Sequence, residues 1–256
     1  MIFAPSVELL RRHGAFALAV LAPLVVLFFM APIPQDPAYH EFADRRILLG
    51  IPNFADVASS APLILAGAVG LWFCLSRPNA GDGPGWLVFF AGIALVGVGS
   101  AYYHWAPDDG TLVWDRLPLT LVYTGLFIAF VSEWISPRLA AILLIPTVLA
   151  GVGSVIYWQY YDDLRLYAWI QLLPLLTLPV IIILYRPQYS HYRYLVVVLV
   201  LFVLARISEV LDREIFALTG NLFSGHTLKH TLAVLAVCAL LIMLRARRRL
   251  PAWRPG

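Results

Sequence analysis

Long apolar runs separated by short polar breaks recur along the whole chain. The runs are continuous rather than alternating, and each is about 20 residues long, enough for an α-helix to cross about 30 Å of hydrocarbon. We interpret eight of them as helices, at approximately 15–31, 54–76, 86–104, 117–135, 138–157, 166–185, 193–212 and 225–244. A porin-like barrel would need alternating strands. The pattern therefore predicts an all-α fold, a polytopic transmembrane helix bundle.

Composition and charge distribution place this bundle in a membrane. Hydrophobic residues make up 61% of the 256 residues and charged residues only 13%, unlike an ordinary soluble domain. Alternate connections and the last residues hold a set of arginines: Arg11, Arg12, Arg77, Arg138, Arg186, Arg193, Arg245, Arg247, Arg248, Arg249 and Arg254. Most acidic residues lie in the other connections. By the positive-inside rule the arginine-rich side is cytoplasmic, and both ends of an eight-helix chain are expected there.

The first run has two interpretations. Arg11, Arg12 and His13 followed by an apolar stretch are also typical of a secretory signal peptide. The run is long for that purpose, and the candidate cleavage position after Ala31 is followed by Pro32. We expect an uncleaved helix that precedes a seven-helix core.

The breaks between runs are short, which favours antiparallel neighbours in one bundle. Residues 32–53 form the one longer connection, and their prolines and acids predict a cap on the outer side of the membrane. We divide the chain into an N-terminal helix with this connection (1–53), a seven-helix catalytic core (54–245) and a basic cytoplasmic tail (246–256).

The basic tail directly follows the last run, so we expect it to fix the topology and to attract anionic lipid head groups. The expected partners are the lipid bilayer and a membrane lipid substrate, with no nucleic acid and no obligate protein partner evident. Cys74 and Cys238 lie in the middle of different apolar runs, where a thiol is usually a small packing residue. We assign them neither a disulfide nor a metal.

Three of the six histidines lie at the ends of apolar runs. His104 closes the third run, while His226 and His230 open the eighth. A spacing of four places the pair on one helix face, as two imidazoles need to bind one metal ion. The topology brings all three to one depth on the outer side, although a single histidine at a helix end is usually just an interfacial polar residue. Three imidazoles with a fourth position left open are typical of catalytic zinc.

Two further residues would complete a hydrolytic site. Asp115 is expected just before the fourth helix, where it would serve as general base for a water activated by the metal. Ser100 lies one turn before His104 and would orient that water or donate to a developing oxyanion. Other roles stay open, since Asp115 could be a charge favoured by the helix dipole and Ser100 could bond its own backbone.

Ionisable residues also gather near the outer end of the seventh run. Arg206, Glu209 and Asp212 are spaced to share roughly one helix face, and Lys229 lies between the paired histidines. Charges at membrane depth are costly and are usually paired or functional. We expect a charge network that positions the eighth helix, with direct substrate contact as the alternative.

Three short motifs surround the predicted site. They are Gly-Ser-Ala-Tyr-Tyr-His-Trp (99–105), Trp-Asp-Arg-Leu-Pro (114–118) and Ser-Gly-His-Thr-Leu-Lys-His (224–230). Together they resemble the alkaline ceramidase family, in its bacterial branch, within the CREST superfamily of seven-helix membrane hydrolases. The resemblance covers roughly residues 50–245. It implies zinc held by the three histidines, with Ser100 and Asp115 assisting, in a multi-pass protein of the bacterial inner membrane.

The resemblance also implies an activity. It indicates a zinc-dependent, membrane-embedded hydrolase that cleaves the amide of ceramide or a ceramide-like N-acyl lipid by a metal-activated water. An acyl-ester hydrolase acting on phospholipid or glycolipid is the first alternative, because the same chemistry attacks both carbonyls. A seven-helix receptor or sensor with a structural zinc is the second, because adiponectin-receptor-like members share the scaffold.

Calcium is a further expectation from the resemblance. Animal alkaline ceramidases hold calcium with acidic and amide residues that precede the first core helix. Glu41, Asp44, Asn53 and Asp56 occupy the comparable stretch, with a different spacing and two arginines between them. The alternative is that Asn53 and Asp56 cap the second helix.

Overall fold

The computed structural model describes residues 7–77 and 83–251, with side chains from residue 10 onwards. Within these ranges the chain forms nine α-helices: α1 (Val7–Phe29), α2 (Phe54–Ser76), α3 (Gly85–Trp105), α4 (Asp109–Phe130), α5 (Pro137–Tyr161), α6 (Arg165–Leu184), α7 (Tyr194–Val210), α8 (Asp212–Leu218) and α9 (Gly225–Ala246). A π-helical turn, Val131–Ile135, extends α4. In this part of the chain seven helices are long and apolar enough to cross a membrane, and α7 with α8 adds a bent eighth candidate. The predicted all-α, multi-span bundle is confirmed.

The start of the fourth helix was predicted wrongly. Hydropathy placed it at residue 117, whereas α4 begins at Asp109. Asp108 and Thr111 form a reciprocal capping box, which fixes the helix start inside a polar stretch that hydropathy cannot detect. Asp115 consequently lies within the helix, in its second turn, rather than before it.

The end of the seventh helix also differs from the prediction. The run was expected to continue to residue 212, but α7 stops at Val210 and α8 turns away by 83°. Asp212, placed just after the break, accepts from the backbone N–H groups of Ala43 at 2.8 Å and His226 at 2.7 Å. A Cβ on Gly225 would collide with the Ser208 carbonyl of α7, so α9 can enter here only with glycine.

The helices pack in an order that leaves α1 at the periphery. Consecutive helices α2, α3 and α4 pack side by side, and α9 returns between α2 and α7. The first helix packs on α6, where the Trp169 indole donates to the Val20 carbonyl at 2.9 Å, and its Phe16 stacks on Phe127 of α4. The predicted architecture of a seven-helix core with one extra N-terminal helix is confirmed.

The connection between α1 and α2 covers the end of the bundle that holds the histidines. It includes a 3-10 turn, Pro37–His40, and its Gln35 N–H donates to Asp162 at 2.8 Å. Asp163 accepts from the Ile33 N–H in the same turn. The Arg165 guanidinium, 2.9 Å from Asp163, holds the pKa of that carboxyl below its usual range. The connection is thereby tied to the turn between α5 and α6.

The opposite end of the bundle contains a buried ion pair. Arg247 lies 2.7 Å from Glu133, which also accepts from the Trp86 indole at 2.5 Å. The Arg247 guanidinium stacks on Tyr189 at 4.2 Å. We expected the tail to fix the topology and attract lipid head groups, but Arg247 is buried and ties the chain after α9 to the π-helical turn that follows α4. Arg254 lies outside the described residues.

Candidate metal centre

The three predicted histidines converge at one end of the bundle. His104 comes from the last turn of α3, and His226 and His230 come from the first turns of α9. Their candidate ligand atoms all lie within 4.8 Å of one another, and the three side chains are buried. No other group of three or more histidines, cysteines or acids of this kind occurs in the described part of the chain. The cluster could bind a metal ion.

The geometry of the cluster suits a metal with nitrogen ligands. The Nε2 atoms of His104 and His226 lie 3.1 Å apart. Two nitrogens bound to tetrahedral zinc at 2.0–2.1 Å would be about 3.3 Å apart, close to the observed separation. Imidazole ligands alone suit several transition metals, so the donor set defines a class of ion rather than one element.

The orientation of His230 is fixed from α2. Its Nδ1 lies 2.7 Å from the Ser59 hydroxyl, and that hydroxyl donates its own proton to the Asp56 carbonyl at 3.1 Å. When Nδ1 carries the ring proton and donates it to Ser59, the Nε2 lone pair of His230 is directed at the site. Such an outer partner is what a metal-binding histidine normally has.

One nitrogen of the cluster has no partner, and a lysine lies beside the cluster. The nitrogen is His104 Nδ1, which is buried and has no hydrogen-bond partner among the described residues. The Lys229 ammonium lies 2.8 Å from His226 Nε2 and 3.0 Å from Glu209. A metal ion at the histidines would compete with Lys229 for the lone pair of His226 Nε2. Metal binding therefore requires Lys229 to give up its contact with His226 and to keep only its ion pair with Glu209.

Ser100 and Asp115 lie beside the histidines because α3 and α4 approach closely. A Cβ on Gly99 would collide with the backbone of Trp114, so only glycine allows this contact. Ser100 Oγ lies 3.5 Å from His230 Nε2, and the Asp115 carboxylate interacts with the Ser100 hydroxyl. All five predicted site residues are therefore brought together. The Ser100 hydroxyl faces this site rather than its own backbone.

Several neighbours of the site were not predicted from sequence. The Phe42 ring lies 4.7 Å from His104 and 4.8 Å from His226, measured between ring centroids, and shields them on the side of the α1–α2 connection. The Asn53 amide donates to the His104 carbonyl at 2.8 Å and makes no side-chain cap bond within the described residues. Asn53 therefore occupies the N-cap position of α2, as the capping alternative expects, but its side chain does not cap the helix. Only its position before α2 hinted at any role.

The four residues considered for calcium have separate partners. Glu41 pairs with Arg213 at 2.8 Å, and Asp44 pairs with Arg46 at 2.6 Å. Asp56 accepts from the Thr227 hydroxyl at 2.7 Å, which ties α2 to α9. Together with Asn53 on His104, these contacts do not assemble a carboxylate cluster in the part of the chain that the structure covers.

The predicted charge network joins α7 to α9. Glu209 accepts from Lys229 at 3.0 Å and pairs with Arg206. The Tyr39 hydroxyl lies 3.5 Å from Glu209, and burial raises the pKa of that hydroxyl well above its usual range, so it acts as a neutral donor. Asp212 does not join this network, because the bend after α7 directs its carboxylate to backbone N–H groups.

A cavity of about 560 Å³ extends from the cluster into the bundle. Ser100, Asp115 and His230 line its polar end together with Arg116, Glu209 and Lys229, and its remaining walls are mostly aliphatic and aromatic side chains of α2, α3, α4, α6, α7 and α9. Although α6 and α7 follow each other in the chain, each packs mainly on other helices. The cavity lies between them.

The chain was compared with protein-family models, curated proteins and solved structures, and none matched. Fold and site define its class, a multi-span helical bundle with a buried three-histidine cluster at the polar end of an apolar cavity.

Proposed function

We propose that the protein is a zinc-dependent, membrane-embedded hydrolase of acyl lipids, related to the alkaline ceramidases that its motifs resemble. One observation carries the proposal. A carboxylate and a hydroxyl, Asp115 and Ser100, line the same cavity as His230 of the cluster, and most of the other lining residues of that cavity are apolar. This combination suits hydrolysis at a carbonyl carbon that carries a long alkyl chain.

Each site residue has a distinct role in this proposal. His104, His226 and His230 would hold zinc, which when bound lowers the pKa of water and polarises a carbonyl. Asp115 accepts a proton from the water as it attacks the carbonyl carbon, and passes it to the leaving nitrogen as the C–N bond breaks. Ser100 donates a hydrogen bond where negative charge develops on the carbonyl oxygen.

The cavity supports an amphiphilic substrate. Its volume of about 560 Å³ falls in the ordinary range for small-molecule sites, about 300–1,000 Å³. The weak packing between α6 and α7 offers a lateral path from the lipid phase to the polar end. We propose an N-acyl lipid of the ceramide type as substrate, entering between these two helices.

We further propose that the histidine end faces away from the cytoplasm. The loop between α6 and α7 and the chain after α9 hold Arg186, Arg193, Arg248 and Arg249 at the other end of the bundle. By the positive-inside rule that end is cytoplasmic. In a bacterial cell this corresponds to an inner-membrane protein with an outward-facing site.

Asp115→Asn tests the assigned chemistry. The amide cannot accept the proton of water, so we expect zinc to be retained while fatty-acid release from N-acyl and O-acyl lipids falls by about 10²-fold or more. The matched control is Asp109→Asn, at an exposed acid at the start of the same helix, and this variant should keep both its zinc and its rate of fatty-acid release. Retained zinc with an undiminished rate in Asp115→Asn would exclude Asp115 as the base.

A further inference from the structure

Arg116 is a buried cation with an incomplete set of partners. It follows Asp115 on α4, lines the same cavity and is only 6% exposed. Its guanidinium lies 4.0 Å from the Trp158 ring centroid and 5.2 Å from that of Tyr167. Its Nη2 donates to the side-chain amide oxygen of Gln35 (Oε1) at 2.5 Å, while its Nη1 is buried without any partner in residues 7–77 and 83–251.

A buried arginine normally faces a carboxylate. Arg116 makes no salt bridge within the described ranges, and Gln35 offers it only a neutral oxygen. Of the nearby acids, Glu209 pairs with Lys229 and Arg206. Asp115 attracts Arg116 through space, but its carboxylate makes no hydrogen bond to the guanidinium within the described ranges and interacts with Ser100 and Lys229 as well. The exposed Asp36 at the cavity rim accepts from a backbone N–H.

We propose that Arg116, supported by Gln35, binds an anionic group on the polar part of a lipid. This rests on the proposed hydrolase function and narrows its ceramide-type substrates to acyl lipids that carry a phosphate, sulfate or carboxylate near the scissile carbonyl, since ceramide itself has only neutral hydroxyl groups there. A guanidinium that is held in place by aromatic rings and by one amide oxygen, and whose Nη1 has no partner, is preorganised to bind an anionic oxygen.

The position of Arg116 fits this assignment. Adjacent residues of α4 place the proposed base and the anion-binding group on one cavity, with Gln35 and Tyr39 on the side of the α1–α2 connection. A lipid whose carbonyl meets Asp115 would extend its head group towards that connection and its acyl chain into the apolar walls. Neutral head groups could share hydrogen bonds with Arg116 but would leave its charge unmatched.

Binding of non-hydrolysable amphiphiles tests the proposal without any turnover. Hexadecyl phosphate, hexadecylphosphocholine and hexadecanol are titrated into the purified full-length protein in neutral detergent, with thermal stabilisation and native mass spectrometry as readouts. We expect hexadecyl phosphate to bind at least about tenfold more tightly than hexadecanol, as a charge-assisted hydrogen bond allows. Inorganic phosphate alone should bind far more weakly, since it lacks the chain.

Substitutions test whether Arg116 is responsible for the preference for hexadecyl phosphate over hexadecanol. Arg116→Gln should remove the preference for hexadecyl phosphate, and Arg116→Lys should keep part of it. Arg213→Gln, at an exposed arginine away from the cavity, should leave it unchanged.

Equal binding of the three amphiphiles by the wild type would overturn the proposal, even if Arg116→Gln does not fold. So would a preference that persists in Arg116→Gln, or binding of inorganic phosphate as tight as that of the lipid. Fatty-acid release separates the two proposals: hydrolysis without anion preference removes only this one, whereas anion preference without hydrolysis of any lipid removes only the hydrolase.

Discussion

Ser59 shows how a residue outside the cluster controls it. Its hydroxyl lies within hydrogen-bond distance of both the Asp56 carbonyl and Nδ1 of His230, and a proton on Nδ1 directs the lone pair of the other ring nitrogen at the site. The tautomer of His230 therefore depends on a hydroxyl from a different helix.

Removing this hydroxyl should weaken the metal site without dismantling it. We expect Ser59→Ala to reduce zinc affinity by about 10–100-fold, the usual effect of losing an outer partner, as measured by competition with a chromogenic chelator. Ser154→Ala is the matched control, because that buried hydroxyl bonds only the Gly151 carbonyl of its own helix among the described residues. An unchanged affinity in Ser59→Ala would show that Ser59 does not orient His230.

The residues that sequence could identify are those of unusual type for their surroundings. His104, His226 and His230 stand out in apolar runs, and their spacing suggests metal binding before any contact is known. Ser59 and Phe42 do not stand out, because a serine in a membrane helix and a phenylalanine in a loop are common. Ser59 matters because it contacts His230, which is 171 positions away in the sequence, and Phe42 matters because its ring packs on His104. The periodicity of apolar residues does not encode either contact.

At the scale of elements, the contact between α3 and α4 determines whether the site exists. Gly99 brings the two backbones together and thereby places Ser100 beside Asp115. A methyl group at Gly99 would have to push against the Trp114 backbone, which cannot yield as a side chain would.

Gly99→Ala should therefore separate the helices. We expect a loss of about 1–3 kcal/mol in the free energy of unfolding, typical of overpacking, together with reduced hydrolysis. Unfolding in mixed micelles measures the first and fatty-acid release the second. Gly153→Ala on α5, where an added Cβ meets nothing within 4 Å, should be neutral or slightly stabilising. If Gly99→Ala and Gly153→Ala had the same free energy of unfolding, the close approach of α3 and α4 at Gly99 would be contradicted.

The limits of hydropathy explain which element boundaries were predictable. Runs bounded by Pro, Gly or charge gave the range of α2 as the structure has it and those of α3 and α9 to within two residues. The start of α4 and the bend after α7 depend on side-chain capping at Asp108 and on the close entry of Gly225. Neither the cap at Asp108 nor Gly225 changes the mean hydropathy, so the hydropathy pattern could not predict the start of α4 or the bend after α7.

For the whole molecule, the proposed orientation makes a prediction about access from each side of the membrane. Leu222 is 72% exposed in the loop before α9, and Arg193 is exposed at the opposite end of the bundle. A membrane-impermeant maleimide should label Leu222→Cys in intact spheroplasts and Arg193→Cys only after lysis. The reverse pattern would invert the proposed topology.

The helix-bundle architecture could be predicted from the sequence, but the packing partners of some helices could not. Short breaks imply adjacent packing, as found for α2, α3 and α4. The first helix is separated from α2 by the long connection and packs on α6, a choice made by side chains such as Phe16 and Trp169. The cavity between α6 and α7 likewise results from these distant packing choices.

The most direct test of the central claim measures zinc and hydrolysis together in the wild type, His226→Ala and the control His13→Ala, whose exposed imidazole lies on α1 away from the cluster. We expect about one zinc per chain and fatty-acid release in the wild type and the control, and loss of both in His226→Ala. Stoichiometric zinc in the wild type that His226→Ala abolishes, without fatty-acid release from any N-acyl or O-acyl lipid, would contradict the enzyme and leave only a metal-binding scaffold.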